Sequence, residues 1–147
     1  MGMVPLCVLL VSADRHRLIA FRAKVVSVRD AAHIEVQFEG NKAWVRLSGI
    51  EVPSPDDGFG AEAKSYVTQR CFGKTVELDA RKDPEGVVRF VAMVYTVTNE
   101  RRDALSVNEG LIAGGLTRLQ SETIDQSALE AVQLQAKAQK RGRWAVE

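Results

Sequence analysis

Cysteine is scarce in this chain, aromatic rings are few, and neither sign of charge dominates. The two cysteines, Cys7 and Cys71, stand far apart in apolar or helical surroundings. That spacing excludes a cysteine metal site and favours buried free thiols over a disulfide. It fits a reducing, intracellular setting, either the cytoplasm or an organelle such as the mitochondrion. Aromatic residues make up 6% of the chain, few for the row of rings on which single-strand binders stack successive bases. The formal net charge is +1, so the broad basic field of a dedicated nucleic-acid binder is missing. No apolar run reaches the length of a membrane-spanning helix. The most apolar stretch, Val4 to Val11, has no preceding Lys or Arg and no convincing cleavage site after it, which argues against a secretory signal. It reads as a buried strand or as the end of a longer apolar segment. Either would suit docking on a partner or a place near a membrane.

What is present is ordinary globular material. Charged residues are 27% and apolar residues 46% of 147, enough for one core and short for two. Residues 1–17 read as an N-terminal apolar extension with an extra strand at Pro5 to Ser12, and residues 18–147 as one domain.

Within that domain, Leu18 to Val28 is strand-like but alternates imperfectly, as in a bent barrel strand. Arg29 to Ala32 is a turn, Ile34, Val36 and Phe38 mark a half-buried strand, and Gly40-Asn41 closes a hairpin into Lys42 to Leu47. A polar loop, Pro53 to Gly60, leads into a helix over Ala61 to Phe72 with Gly73 as its cap. Strand returns at Thr75 to Leu78, Asp83 to Gly86 is a turn, and Val87 to Val97 is a long strand. Ser106 to Glu109 is a capping box for a helix through Ala113. Thr123 to Gln126 has the same spacing and opens a helix to about Lys140, with Ala128, Ala131, Leu134 and Ala138 as its apolar stripe. The order predicts an α+β fold, a five-stranded OB-type barrel with about three helices.

The chemistry-bearing stretch is Ala43 to Pro53, in which Arg46 lies in a strand and Glu51 just past its end. A cation and an anion so placed can hold a phosphate or a metal ion, or brace the barrel mouth as an ion pair. His16 and His33 have no partner at metal or triad spacing, and Lys137, Lys140, Arg141 and Arg143 read as the solvated end of the last helix. Trp44 is undecided between core and surface.

Several separated pieces, in one order, resemble the staphylococcal nuclease family from about Phe21 to Trp144. They are Arg46-Leu-Ser-Gly-Ile-Glu51-Val-Pro53, Phe59-Gly60-Ala-Glu62-Ala63, Gly73-Lys74-x-Val76-x-Leu78, Arg89-Phe-Val-Ala92-Met-Val-Tyr95, Val107-Asn-Glu-Gly-Leu111 with Gly115-Leu116, and Gly142-Arg-Trp144. The resemblance implies a barrel with inserted helices. It also implies phosphodiester hydrolysis with one calcium ion held mainly by two aspartates, a glutamate as general base, and two arginines on the phosphate. In this sequence the first aspartate's turn reads Asp30-Ala31-Ala32-His33, so Ala32 stands at the ligand position and Asp30 survives beside it. Glu51 takes the second aspartate's place, Ser54 the glutamate's, and Arg46 and Arg89 match the arginines. Two extra residues separate the Gly86 turn from Arg89.

Calcium needs several oxygen ligands and alanine supplies none. Loss of a general base removes roughly another 10²–10⁴-fold. On these residues alone the expectation is a chain without nuclease chemistry and without a cofactor, a pseudo-nuclease acting as a structural or protein-interaction subunit of a larger assembly. The alternative is a module for single-stranded RNA or DNA, with Arg46 and Arg89 on the phosphates. A further alternative is a calcium-dependent phosphodiesterase with a rearranged site, in which Glu51 and Asp30, or Asp56 and Asp57, make good the missing acids.

Overall fold

A computed structural model describes residues 17–54, 56–120 and 123–147. The expected strand at Pro5 to Ser12, together with Cys7 and His16, lies outside them. β1 (Ile19–Asp30), β2 (His33–Phe38), β3 (Asn41–Leu47), β4 (Thr75–Lys82) and β5 (Phe90–Thr98) run in the order β3-β2-β1-β4-β5, and a parallel pairing of β3 with β5 closes the barrel. A two-residue strand, β6 (Arg101–Arg102), pairs with the end of β5. The helices are α1 (Gly60–Cys71), α2 (Val107–Ala113) and α3 (Gln126–Ala138), followed by a 3-10 turn over Gly142–Ala145.

The imperfect alternation of β1 has a cause: its register with β2 shifts between Val25 and Ser27 and again between Val28 and Asp30, bulges that let one strand pair on both edges while it bends. The β2–β3 hairpin turns on Glu39 (φ 51°) and Gly40 (φ 80°), a two-residue turn of the type that matches strand twist. Val25, Ile34, Val36, Val45, Leu47, Leu78, Ala80, Ala92 and Val94 fill the barrel from alternating positions. α1 covers one side with Ala63, Val67 and Cys71. The Cys71 thiol is free, and burial pushes it up to about 12 against the pull of Lys74 and Arg70. It is an inert core group.

Ser106 Oγ accepts the Glu109 N–H at 3.0 Å, as the capping box requires. Buried Asn108 then ties α2 to the barrel. Its Oδ1 accepts from Val94 N at 2.9 Å, and its Nδ2 donates to Ser48 O at 2.8 Å and Ala92 O at 3.1 Å.

Three expectations need correction. β5 begins at Phe90, because the Asp83 carboxylate accepts N–H groups of Glu85, Val87 and Val88 and so folds the preceding valines into a loop. α3 begins at Gln126 after Asp125 in a left-handed conformation. Thr123 Oγ1 turns to Ser48 Oγ and Ile124 O instead of capping. The stripe of α3 is also rotated: Ala128, Ala131, Leu134 and Ala138 are exposed, while Leu129 and Ala136 are buried with Val132 packed beside them.

Candidate functional site

The β1–β2 turn is built as a closed structural corner. Asp30 Oδ1 accepts from Ala32 N and contacts His33 Nδ1, both at 2.8 Å. Ala31 and Ala32 are buried at 1% and 0% exposure, and Leu47 N donates to Ala32 O at 2.7 Å. Asp30 is therefore engaged by its own turn, and the Ala32 methyl is part of the core. His33, expected at the surface or in a turn, is buried at 9% as the partner of Asp30.

In the segment after β3, Asp57 has its carboxylate engaged while Glu51 and Asp56 face solvent. Glu51 is exposed and its backbone N donates to Arg118 O at 3.1 Å. Ser54 and Asp56 are exposed, and Ser54 O accepts from Asp57 N at 2.9 Å. Asp57 caps Phe59 N at 2.8 Å and forms an ion pair with Arg143, which is buried at 4%. Arg143 was expected in solvent. The chain past α3 instead folds back onto Gly115, whose carbonyl accepts Arg143 N at 2.9 Å. Gly115, at φ 69°, has no room for a Cβ, which would stand 2.2 Å from Arg141 O. Among the described residues no three His, Cys, Asp or Glu side chains gather as a metal site. Among the described residues the acids here do not gather into a calcium site of the kind the fold family implies, and no catalytic step is derived through that ion.

Arg46 and Glu51 form no ion pair. Arg46 Nη1 instead donates to Gln120 Oε1 at 3.1 Å, with Gln120 itself held by Gly49 O through its N–H at 2.8 Å. Arg46 opens on a pocket of about 160 Å³ on the outer face of the barrel, lined also by Ser48, Arg81, Glu85, Val91 and Gln120. Beneath it Ser48 Oγ bonds Thr123 Oγ1 at 2.8 Å and accepts Ile124 N at 2.9 Å, which makes the pocket floor rigid. The neighbouring loop is set by Asp83. Burial raises the tendency of its carboxyl to hold a proton, but backbone N–H donors from Val88, Glu85 and Val87 outweigh it, Arg46 adds its charge, and the carboxyl ends below its ordinary value.

Arg89, expected beside Arg46, does not line this pocket. Its N–H donates to Trp44 O at 3.1 Å and its guanidinium lies 5.5 Å from the centre of the Phe90 ring. The two added residues before it lengthen the loop organised by Asp83 and start the strand after Arg89. Trp44 is half-buried under Arg29, 5.3 Å from its ring centre. Arg81 and Gln120 escaped sequence reasoning. Glu77, Asp79 and Arg81 alternate along β4, which signals an outward Arg81, but only the closed barrel brings it next to Arg46.

A five-stranded barrel closed by parallel β3 and β5, with an arginine at the end of β3 opening on a polar pocket, is a nuclease-type OB barrel. A family model described as staphylococcal nuclease homologue matches residues 44–146, most of the chain, and the chain belongs to that family. It is also similar to a protein of Escherichia coli O157:H7 named "Uncharacterized endonuclease", 27% identical over 122 residues, 82% of this chain and 75% of the relative. A protein of the same name from Escherichia coli matches with the same figures. These matches overturn the expectation that the chain is no enzyme: the family is one of nucleases, and a relative aligned over most of both chains bears an endonuclease name. Ala32 and Ser54 speak only to one arrangement of ligands and base. Among the described residues no helix is long and apolar enough to cross a membrane.

Proposed function

We propose that this protein is a nuclease that cleaves phosphodiester bonds of DNA or RNA, with Arg46 as the residue that holds the scissile phosphate. One observation carries the reading: Arg46 is anchored by Gln120 at 3.1 Å, forms no ion pair among the described residues, and opens on a polar pocket over a hydrogen-bonded floor. Hydrolysis adds a water oxygen to phosphorus and expels an ester oxygen, and negative charge gathers on the phosphoryl oxygens as it does so. A guanidinium fixed before that moment stabilises the growing charge without reorganising. Glu85 is the carboxylate lining the same pocket and is the group placed to orient the water or take its proton. Glu51 and Ser54 lie outside the pocket lining.

The test is cleavage of labelled single- and double-stranded DNA and of RNA by the purified protein, with calcium and with chelator. Arg46→Ala is expected to slow cleavage about 10²-fold, the order seen when one charge-stabilising donor is removed, and Glu85→Gln to slow it as well. Substrates left intact under every condition sink the proposal. Cleavage indifferent to Arg46→Ala moves the chemistry elsewhere.

A further inference from the structure

We propose that Arg81 is the second phosphate-binding arginine of this site, so that a nucleic-acid phosphodiester is gripped between the guanidinium groups of Arg46 and Arg81. The inference rests on the phosphodiester reading of the Arg46 pocket and adds a residue to it.

Register brings the pair together. Val91 of β5 is the partner of Arg46 on β3 and of Arg81 on β4. The three residues therefore form one row across the barrel wall, and residues level in a row face the same side of a sheet. The arginines sit two strand spacings apart, about 10 Å at their Cα atoms, with only the small half-row of Val91 between them. Side chains as long as arginine's converge across such a gap on a single anion. Both line the pocket of about 160 Å³, the volume of roughly five waters.

The state of Arg81 is the second observation. Its Nε is buried from solvent and has no hydrogen-bond acceptor among the described residues. A buried guanidinium N–H without an acceptor is rare in folded proteins and calls for a missing partner. The acids on its own strand are already engaged: Glu77 is bonded by Arg22 at 3.2 Å and Arg102 at 3.3 Å, and Asp79 by Arg102 at 2.8 Å. Phosphoryl oxygens placed in the pocket would accept from Nε of Arg81 and from Arg46 together. Glu85 at the rim disfavours an anion with more charge than a diester carries, which selects a phosphodiester over free phosphate.

The Nε–Hε resonances of Arg46 and Arg81 report directly, followed by NMR on the full chain during titration with dimethyl phosphate, with inorganic phosphate, and with a ten-residue oligothymidylate. Both resonances are expected to shift with the diester and the oligonucleotide, and less with inorganic phosphate. Arg81→Ala and Arg81→Lys are expected to weaken oligonucleotide binding about 10-fold, with thermal unfolding as the check on folding. Arg81→Ala should also lower the slope of log K against log salt by about 0.7, one phosphate contact on a single strand. Arg101→Ala, an exposed arginine outside the site, should leave affinity as it is. Oligonucleotide binding that depends on Arg46 while the Arg81 resonance stays still overturns the role of Arg81 and leaves the nuclease reading intact. Shifts with dimethyl phosphate but neither binding nor cleavage of nucleic acid keep the two-arginine pocket and sink the nuclease reading. No shift at Arg81 with any of the three ligands overturns the inference.

Discussion

Along the outer face of β4, arginines meet two different fates. Towards one end Arg102 bonds Asp79 at 2.8 Å and Glu77 at 3.3 Å, Arg22 bonds Glu77 at 3.2 Å, and the Arg102 guanidinium lies 4.1 Å from the centre of the Tyr95 ring. Every charge there has a neighbour of opposite sign or a ring to lie against. At the other end Arg81 and Arg46 flank Val91 with no ion pair among the described residues, and a buried Arg81 N–H has no acceptor. The same strand, with the same alternation, carries acids to the first end and an arginine to the second. Cations already neutralised have nothing left to offer a ligand, whereas cations left open beside a pocket retain the field that draws in an anion. The contrast separates structural charge from charge available for binding better than net charge does, since +1 over the whole chain hides both.

Both ends hang from one buried group. Asn108 of α2 bonds Val94, Ala92 and Ser48 at 2.8 to 3.1 Å, tying the middle of β5 to the residue that follows β3. Asn108→Ala strands the Val94 N–H and the Ser48 carbonyl in the core, while the Ala92 carbonyl keeps the Ser48 N–H. We expect a loss of at least about 3 kcal/mol, lowering Tm by roughly 10 °C for a chain of this size, and both arginine clusters should melt in one transition. A Tm unchanged within 2 °C or so would show that the two ends are held independently.

Converting the open end into a closed one is the sharper break. Arg81→Glu places a carboxylate in the row with Arg46, the arrangement that Glu77 and Asp79 give Arg102. Oligonucleotide binding should fall more than about 10-fold, with cooperative thermal unfolding as the check that the variant folds. Full affinity in this variant would mean that the pocket cations do not hold the ligand.

The fold was largely legible because its signals are local. Alternation in β2 and the Ser106 cap each follow from a few neighbouring residues, whereas the hairpin expected at Gly40-Asn41 turns one residue earlier, on Glu39 and Gly40. The misreadings have a common source in tertiary contacts. Val87 and Val88 look like strand until Asp83 claims their N–H groups. Arg143 looks solvated until Asp57 buries it from 86 residues away. In α3, small alanines fit any face, and only docking on the barrel selects Leu129 and Ala136. Arg46 stands out as a candidate from its motif, but nothing linear points to the residue level with it across β5. Arg81 meets it through closure of the barrel by β3 and β5, and no linear spacing encodes that pairing. The inference from Ala32 and Ser54 to an inert chain failed because absence of one known set of groups says nothing of another set assembled in space.

Opening the closed end tests the other half of the contrast. Arg102→Ala releases Asp79 and leaves Glu77 to Arg22, and since Arg102 is 41% exposed on its side chain, the cost should be only about 0.5 kcal/mol. Cleavage and oligonucleotide affinity should stay as in the parent. A 10-fold loss of either would place the neutralised cluster in the ligand's path and dissolve the distinction.

The smallest effect concerns the loop that carries Glu85 to the pocket rim. Asp83 keeps its carboxyl below the ordinary 3.8 because backbone donors, with help from Arg46, favour the charged form over the opposing effect of burial. A carboxyl lowered in the folded state contributes stability that is fully present above its unfolded value and fades as pH falls through its folded value. Asp83→Asn should therefore be less stable than the parent near neutral pH, and the difference should shrink below about pH 4 as the parent's carboxyl takes up its proton. Urea denaturation of both proteins from pH 7 down to pH 2.5 reads this directly. A difference that stays constant across the range would assign the loop to shape alone, with no electrostatic link from Asp83 to Arg46.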